Sequence, residues 1–238
     1  MDMRKILFWV HLISGVSVGL VILFLSVTGM MLAFRPQIIA YVEKNPSPTG
    51  QAWSKDNPSQ ARTFLKKVES WHRYFGVDGK LKPVAHNIKG VCTSIFLGVI
   101  TSGFYLWWPR KTFKFKPALR DKARDWNRHN VIGFWFAPVL IVIVITGLLM
   151  LYLPSPPKRP PLEQKVEMAK DQRPQDTPLR KFKKLVKTIH TGEAGGILGQ
   201  SIVFLASGGA VMLVWTGLSM AWRRFFSLKS NMQKESYV

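Results

Sequence analysis

A single cysteine, Cys92, stands in the 238 residues, so no disulfide can close within the chain, and no CxxCH is present to attach a c-type haem covalently. Acidic residues are scarce too. Thirteen Asp plus Glu face 34 Lys plus Arg, and none of the thirteen falls inside a long apolar run. Zinc and di-iron centres, which want thiolates or inward carboxylates, are therefore poorly served. No Gly-x-Gly-x-x-Gly follows a strand-like stretch, so the chain has no recognisable dinucleotide site of its own.

What is present is apolar length. Hydrophobic residues make up 47% of the chain, and four runs of bilayer-crossing length lie at about 6–34, 84–108, 129–153 and 197–221. These predict an all-α integral membrane four-helix bundle, a single membrane domain over 1–238. The first run outlasts a signal-peptide core and ends in TGMMLAFRPQ without a small-residue cleavage site, so it is expected to remain as a span. The loop PRKTFKFKPALRDKARDWNR packs eight Lys/Arg into 20 residues, which places it in the cytoplasm, with both termini on the same side. The outer loops are then about 35–83 and 154–196. The net charge of +21 flanks the spans instead of forming a groove-sized patch, so a lipid bilayer and an anionic substrate are the expected partners, and nucleic acid is not.

Each outer loop contains a stretch of helical periodicity. SQARTFLKKVESWHRYFG sets Phe64, Leu65, Val68, Trp71 and Phe75 at three- and four-residue spacing, and LRKFKKLVKTIHTG does the same with Leu179, Phe182, Leu185, Val186 and Ile189. Both read as short amphipathic helices on the outer membrane surface. NPSPTGQAWSKDNPS and PSPPKRPPLEQ read as irregular. Spans one and three also repeat one another: His11 to Gly29 and His129 to Gly147 are both 18 residues, five helical turns or about 27 Å. Spans two and four end alike, with Ser102–Gly103 and Thr216–Gly217 each followed by aromatics and arginine. The bundle is thus two similar helical pairs.

Five histidines stand near span boundaries. His11 and His129 lie at matching depth on the cytoplasmic side, while His72, His86 and His190 fall on the outer side. One imidazole per facing helix, at two depths, is what a bundle needs to hold b-type haem through both axial positions, so two non-covalent haems are expected. A flat macrocycle also needs bare helix surface. Gly15, Gly133, Gly103 and Gly217 are expected to supply it at the inner level, and Gly29 and Gly147 at the outer one. Trp9, Trp107, Trp108, Trp126 and Trp222 read as an interfacial belt. Thr28 and Thr146 are expected to bond to the preceding helical turn.

Together, the early His and TG of the first span, WHRYFG, SGFYLWWPR, IHTGEAGGILGQ and WTGLSMAWRR resemble the PepSY-associated transmembrane helix family. The extracytoplasmic PepSY module usual between the third and fourth spans is missing here; about 43 residues occupy that place. The resemblance implies a bacterial inner-membrane redox protein of the ferric-siderophore or iron reductase type, with haem iron held by His11, His129, His72 and His190. His86 is kept as an alternate outer ligand, although its interval to Gly103 is 17 residues. Arg73, Lys89, Arg35 and Arg128 are candidate contacts for haem propionates or an anionic ferric chelate. Electrons would come from a partner flavoprotein or a quinol. The competing readings are a quinol-linked cytochrome b subunit serving a periplasmic partner and a haem-free structural or transport-accessory membrane protein.

Overall fold

The computed structural model describes residues 2–44, 53–54, 57–108, 113–116, 121–154 and 178–235. Among them there is no strand. Seven α-helices follow one another: α1 (Met3–Ala33), α2 (Arg35–Val42), α3 (Gln60–Tyr74), α4 (Lys82–Trp107), α5 (Asp121–Tyr152), α6 (Pro178–His190) and α7 (Gly196–Glu235). Short 3-10 turns at Gly79–Leu81 and Glu193–Gly195 lead into α4 and α7.

Four stretches are long and apolar enough to cross a membrane: Met3–Ala33, Gly79–Trp107, Ala123–Tyr152 and Glu193–Phe226. They cover the four expected spans to within one residue. A helix satisfies its own backbone hydrogen bonds, so it can lie in hydrocarbon where no water is available. The chain is a multi-pass membrane helical bundle. Its outer surface agrees with that environment, since Leu20 is 70%, Leu198 78% and Trp215 69% exposed, which water would not tolerate so widely.

The four long helices form a square. Helix α1 packs on α4 and α7, and α5 packs on the same two. Val18, Ile22, Phe96, Leu140, Ala206 and Ala210 meet at the centre. Small residues allow close approach: a Cβ on Gly209 would come within 2.8 Å of the Phe136 ring. The two helical pairs expected from the repeat are α1 with α4 and α5 with α7.

Helices α3 and α6 do more than lie on a surface. Helix α3 packs on α1 and α4, and α6 packs on α5; Leu65, Val68 and Val186 are buried by those contacts. Phe64, Phe182 and Leu185 stay exposed on the remaining apolar faces. Both helices are anchored by the chain reversing tightly after them. After α3, Phe75 and Gly76 take left-handed backbone angles. After α6, Gly192 does so (φ +77°), and a Cβ there would stand 2.5 Å from the Gly199 carbonyl oxygen. Only glycine fits that approach. Helix α2, which the sequence left unassigned, is tied to its neighbours by Gln37 to Gln200 and by the pairing of Glu43 with Arg62. The stretches expected to be irregular lie mostly outside the described residues.

Candidate functional site

The fold brings four of the five histidines together in two pairs. His11 from α1 faces His129 from α5 with ring centroids 6.3 Å apart, and His72 from α3 faces His190 from α6 at 6.5 Å. The first pair sits at the proximal level, where α1 and α5 begin. The second sits at the distal level, beside Gly29 and Gly147. Eighteen residues of α1 separate His11 from Gly29, about 27 Å along the axis, so the levels stand almost a hydrocarbon thickness apart.

Each imidazole rests in the same seat, made by a Ser–Gly or Thr–Gly pair on a neighbouring helix. Nδ1 of His11 meets Ser102 Oγ at 3.1 Å, that of His72 meets Thr28 Oγ1 at 2.9 Å, that of His129 meets Thr216 Oγ1 at 3.0 Å, and that of His190 meets Thr146 Oγ1 at 3.1 Å. The following glycine leaves room for the ring edge. A Cβ would lie 3.0 Å from Cε1 of His11 at Gly103, 3.1 Å from that of His190 at Gly147, and 3.5 and 3.6 Å from those of His129 and His72 at Gly217 and Gly29. These glycines therefore make room for the imidazole edges. At the proximal level Gly103 and Gly217 also line, together with Gly15, Gly19 and Gly133, a central cavity of about 690 Å³.

The hydrogen bonds decide which ring nitrogen is free. Every one of the four hydroxyls donates its only proton to a carbonyl of its own helix: Thr28 to Phe24 at 2.8 Å, Thr146 to Val142 at 2.7 Å, Thr216 to Met212 at 2.7 Å and Ser102 to Val99 at 3.0 Å. Toward the imidazole each hydroxyl can then only accept, so Nδ1 carries the hydrogen. The carbonyls of Val99 and Ile143, themselves acceptors, also lie 3.1 and 3.0 Å from Nδ1 of His11 and His190. All four rings are held as the tautomer whose Nε2 lone pair is unused. A second hydrogen bond that fixes tautomer and ring orientation is the usual companion of a ligating histidine.

Burial keeps the distal pair neutral. It pushes His72 down to about 3, aided by the charges of His190 and Lys89. It also holds His190 below its ordinary value, against the bond to the Ile143 carbonyl and with help from Lys89. A neutral imidazole is the form that binds a metal.

The described residues hold no group of three or more His, Cys, Asp or Glu able to take a bare ion. Two opposed imidazoles suit a metal that brings its own equatorial donors. Centroid separations of 6.3 and 6.5 Å leave the room that a metal–nitrogen bond of about 2 Å on each side would take. The residues present thus fit haem at both levels.

His86 stands apart from both pairs. Its Nε2 bonds to the Leu151 carbonyl at 3.1 Å and its ring meets Tyr152 edge-on at 6.0 Å, which ties α4 to the end of α5. Among the basic candidates, Lys89 acts on both distal imidazoles and bonds through Nζ to the Arg73 carbonyl at 3.0 Å. Arg35 and Arg73 both pair with Glu69. Arg128 is exposed, and the basic side chains lining the central cavity are Arg4, Lys5 and Arg224. Arg224 stacks 4.9 Å from the rings of Phe8 and Trp9. Sequence reasoning missed these three because they come from opposite ends of the chain. Among the tryptophans expected in a belt, Trp107 is 5% exposed and stacks on Phe134 at 4.2 Å, whereas Trp108 and Trp222 face outward.

The seats make a graded prediction. Alanine at Gly103 or Gly147 crowds a ring that has little room to give, so the occupancy of any haem held by that pair is expected to fall. Alanine at Gly29 or Gly217 makes an ordinary van der Waals contact and leaves occupancy near wild type. Soret absorbance per protein in the four variants checks the order.

No curated protein matches the chain significantly. A family model described as the PepSY-associated TM region does match, over residues 40–224, which takes in His72, His129, His190 and all the described helices from α3 to α6. Covering well over half of the sequence, that match makes this chain a member of the PepSY-associated TM family.

Proposed function

We propose that this membrane protein is a di-haem b-type electron carrier that reduces ferric iron or a ferric siderophore. In this reading it spans the bacterial inner membrane with both termini in the cytoplasm. The observation that supports it best is the repeated seat: four part-buried imidazoles in two opposed pairs, each with Nδ1 engaged and Nε2 without a partner among the described residues.

His11 and His129 hold the inner haem, and His72 and His190 the outer one. Bound haem supplies a one-electron iron couple whose potential follows from its axial ligands and their surroundings. Ser102, Thr216, Thr28 and Thr146 orient the ligands and raise their basicity by accepting from Nδ1–H. Lys89 offers a cation to the propionates of the outer haem, and Arg4, Lys5 and Arg224 offer cations at the inner cavity. Arg35 and Arg73, on the distal end, draw an anionic ferric chelate toward the outer pair. Val18, Ile22, Phe96 and Leu140, which line the inner part of the central cavity, give the space between the levels an apolar wall with no partner for water.

Anaerobic stopped-flow mixing tests this function. Detergent-purified protein reduced with stoichiometric dithionite is mixed with ferric citrate or a ferric hydroxamate, in the presence of a ferrous-specific chelator. We expect reoxidation of the protein, with one ferrous ion trapped per electron lost. Protein that stays reduced against both chelates contradicts the reductase reading and favours a cytochrome that serves another periplasmic protein.

A further inference from the structure

A second opening reaches the proximal pair from the lipid side. Between α1 and α4 lies a groove of about 540 Å³, lined by Leu7, Val10, Ser14, Gly98, Thr101 and Tyr105. His11 and Val99 line both this groove and the central cavity, so the His11 ring stands between the two. Val10, Ile95 and Tyr105 are exposed at its margins, which opens the groove toward lipid.

Its chemistry is unusual for a lipid-facing cleft. Four hydroxyls gather there, one of them that of Ser102, which already meets His11. That of Thr101 donates to the carbonyls of Leu97 and Gly98 and can still accept, while those of Ser14 and Tyr105 have no partner among the described residues. A hydroxyl without a partner at hydrocarbon depth, as that of Ser14 is, is unfavourable unless something fills it. Gly98 contributes the space, since a Cβ there would meet nothing within 4 Å.

The internal repeat supplies a comparison. Aligning the His11–Gly103 seat with the His129–Gly217 seat puts Ser14 opposite Ile132, Gly98 opposite Met212 and Thr101 opposite Trp215. At these three positions the second half carries apolar bulk where the first carries two hydroxyls and a gap, while Ser102 and Tyr105 fall opposite the hydroxyls of Thr216 and Ser219. Shared ancestry or shared packing does not explain that difference, because the seats themselves are the same.

We propose that this groove binds a membrane quinol, which delivers electrons through His11; the inference rests on the di-haem reading above. A quinol ring presents two hydroxyls that need partners and a tail that is soluble in lipid, which matches polar walls with apolar margins. A lipid acyl chain has no use for the hydroxyls. The balance is QH2 + 2 Fe(III) → Q + 2 Fe(II) + 2 H+. The quinol is oxidised to quinone, its two electrons leave one at a time through the His11 level, and two ferric chelates at the distal end are reduced. Both protons pass to water at the proximal end, close to which Leu7 and Tyr105 lie, in the first turns of α1 and the last turn of α4.

The test uses detergent-purified, haem-loaded protein and a short-tail quinol analogue, with haem reduction followed in the visible range. Variants Gly98→Met and Thr101→Trp copy the other half of the repeat. Dithionite reduction of each sample reports that both haems are in place. We expect the quinol to reduce wild type, and each variant to slow that step at least tenfold. Equal rates in wild type and both variants, or a wild type reduced by dithionite and not by quinol, overturn the quinol site and leave the di-haem reading standing. Wild type without haem overturns the di-haem reading itself, and this inference with it.

Discussion

On the di-haem reading, alanine at His190 is expected to remove the distal haem and leave the proximal one, so that haem content falls from about two per chain to about one. The same substitution at His72 has the same effect, while His11→Ala or His129→Ala spares the distal level. The reasoning is geometric. The two members of each pair are about 6 Å apart, and the pairs are separated by about 27 Å of helix, so neither level can borrow a ligand from the other. His86 cannot substitute at the distal level while its Nε2 holds the Leu151 carbonyl. His86→Ala therefore leaves both haems in place, and pyridine haemochrome counting across the five variants reads all of these outcomes. Loss of the distal haem in His86→Ala with retention in His72→Ala would contradict the assignment. Losing either level also breaks the path between the two membrane faces, because tunnelling falls steeply with distance.

Valine at Thr28 or Thr146 keeps the shape of the seat and removes its acceptor. The Nδ1–H of His72 or His190 is then left short of a buried partner, at a cost of about 1–3 kcal/mol, and nothing favours the ligating tautomer as strongly. Haem affinity at the distal level drops ~10- to 100-fold, as is usual when a group behind a metal-bound histidine is lost. Serine at the same positions restores the hydroxyl and most of the affinity. A simple packing defect is not rescued in that way, since serine is the smaller residue. Titrating apoprotein with haemin while following the Soret band measures both changes. Neither variant strips Nδ1–H of every acceptor, because the Ile143 carbonyl also accepts from His190 at 3.0 Å and the Leu25 carbonyl serves His72 in the same way.

The architecture was legible in the sequence wherever a periodic signal lay within one segment. The four spans, the amphipathic patterns of α3 and α6, and the repeat of α1 in α5 all follow from the spacing of apolar residues and histidines. The pairing of His11 with His129 was legible too, since equal depth on two copies of one helix puts them at one level. What the sequence hid was cooperation between helices. The Ser–Gly and Thr–Gly phrases were visible as helix endings, but that each receives an imidazole from another helix depends on the square packing. A signal for it existed: Thr28 to His72 and Thr146 to His190 are both 44 residues apart, an equality that marks both pairs as one device. The role of His86 was hidden for a different reason. Its HxxxG phrase copies a ligand's, yet the end of α5, which it bonds, lies 65 residues away and carries no motif. Arg4, Lys5 and Arg224 meet at the cavity only because the first and last helices are neighbours.

The most direct measurement is a dithionite-reduced minus oxidised visible spectrum of the purified chain, expressed with ample haem supply, combined with a pyridine haemochrome count and low-temperature EPR. The account predicts b-type bands, about two haems per chain and low-spin signals of bis-imidazole iron. Colourless protein, or a single haem that survives loss of either histidine pair, would contradict it.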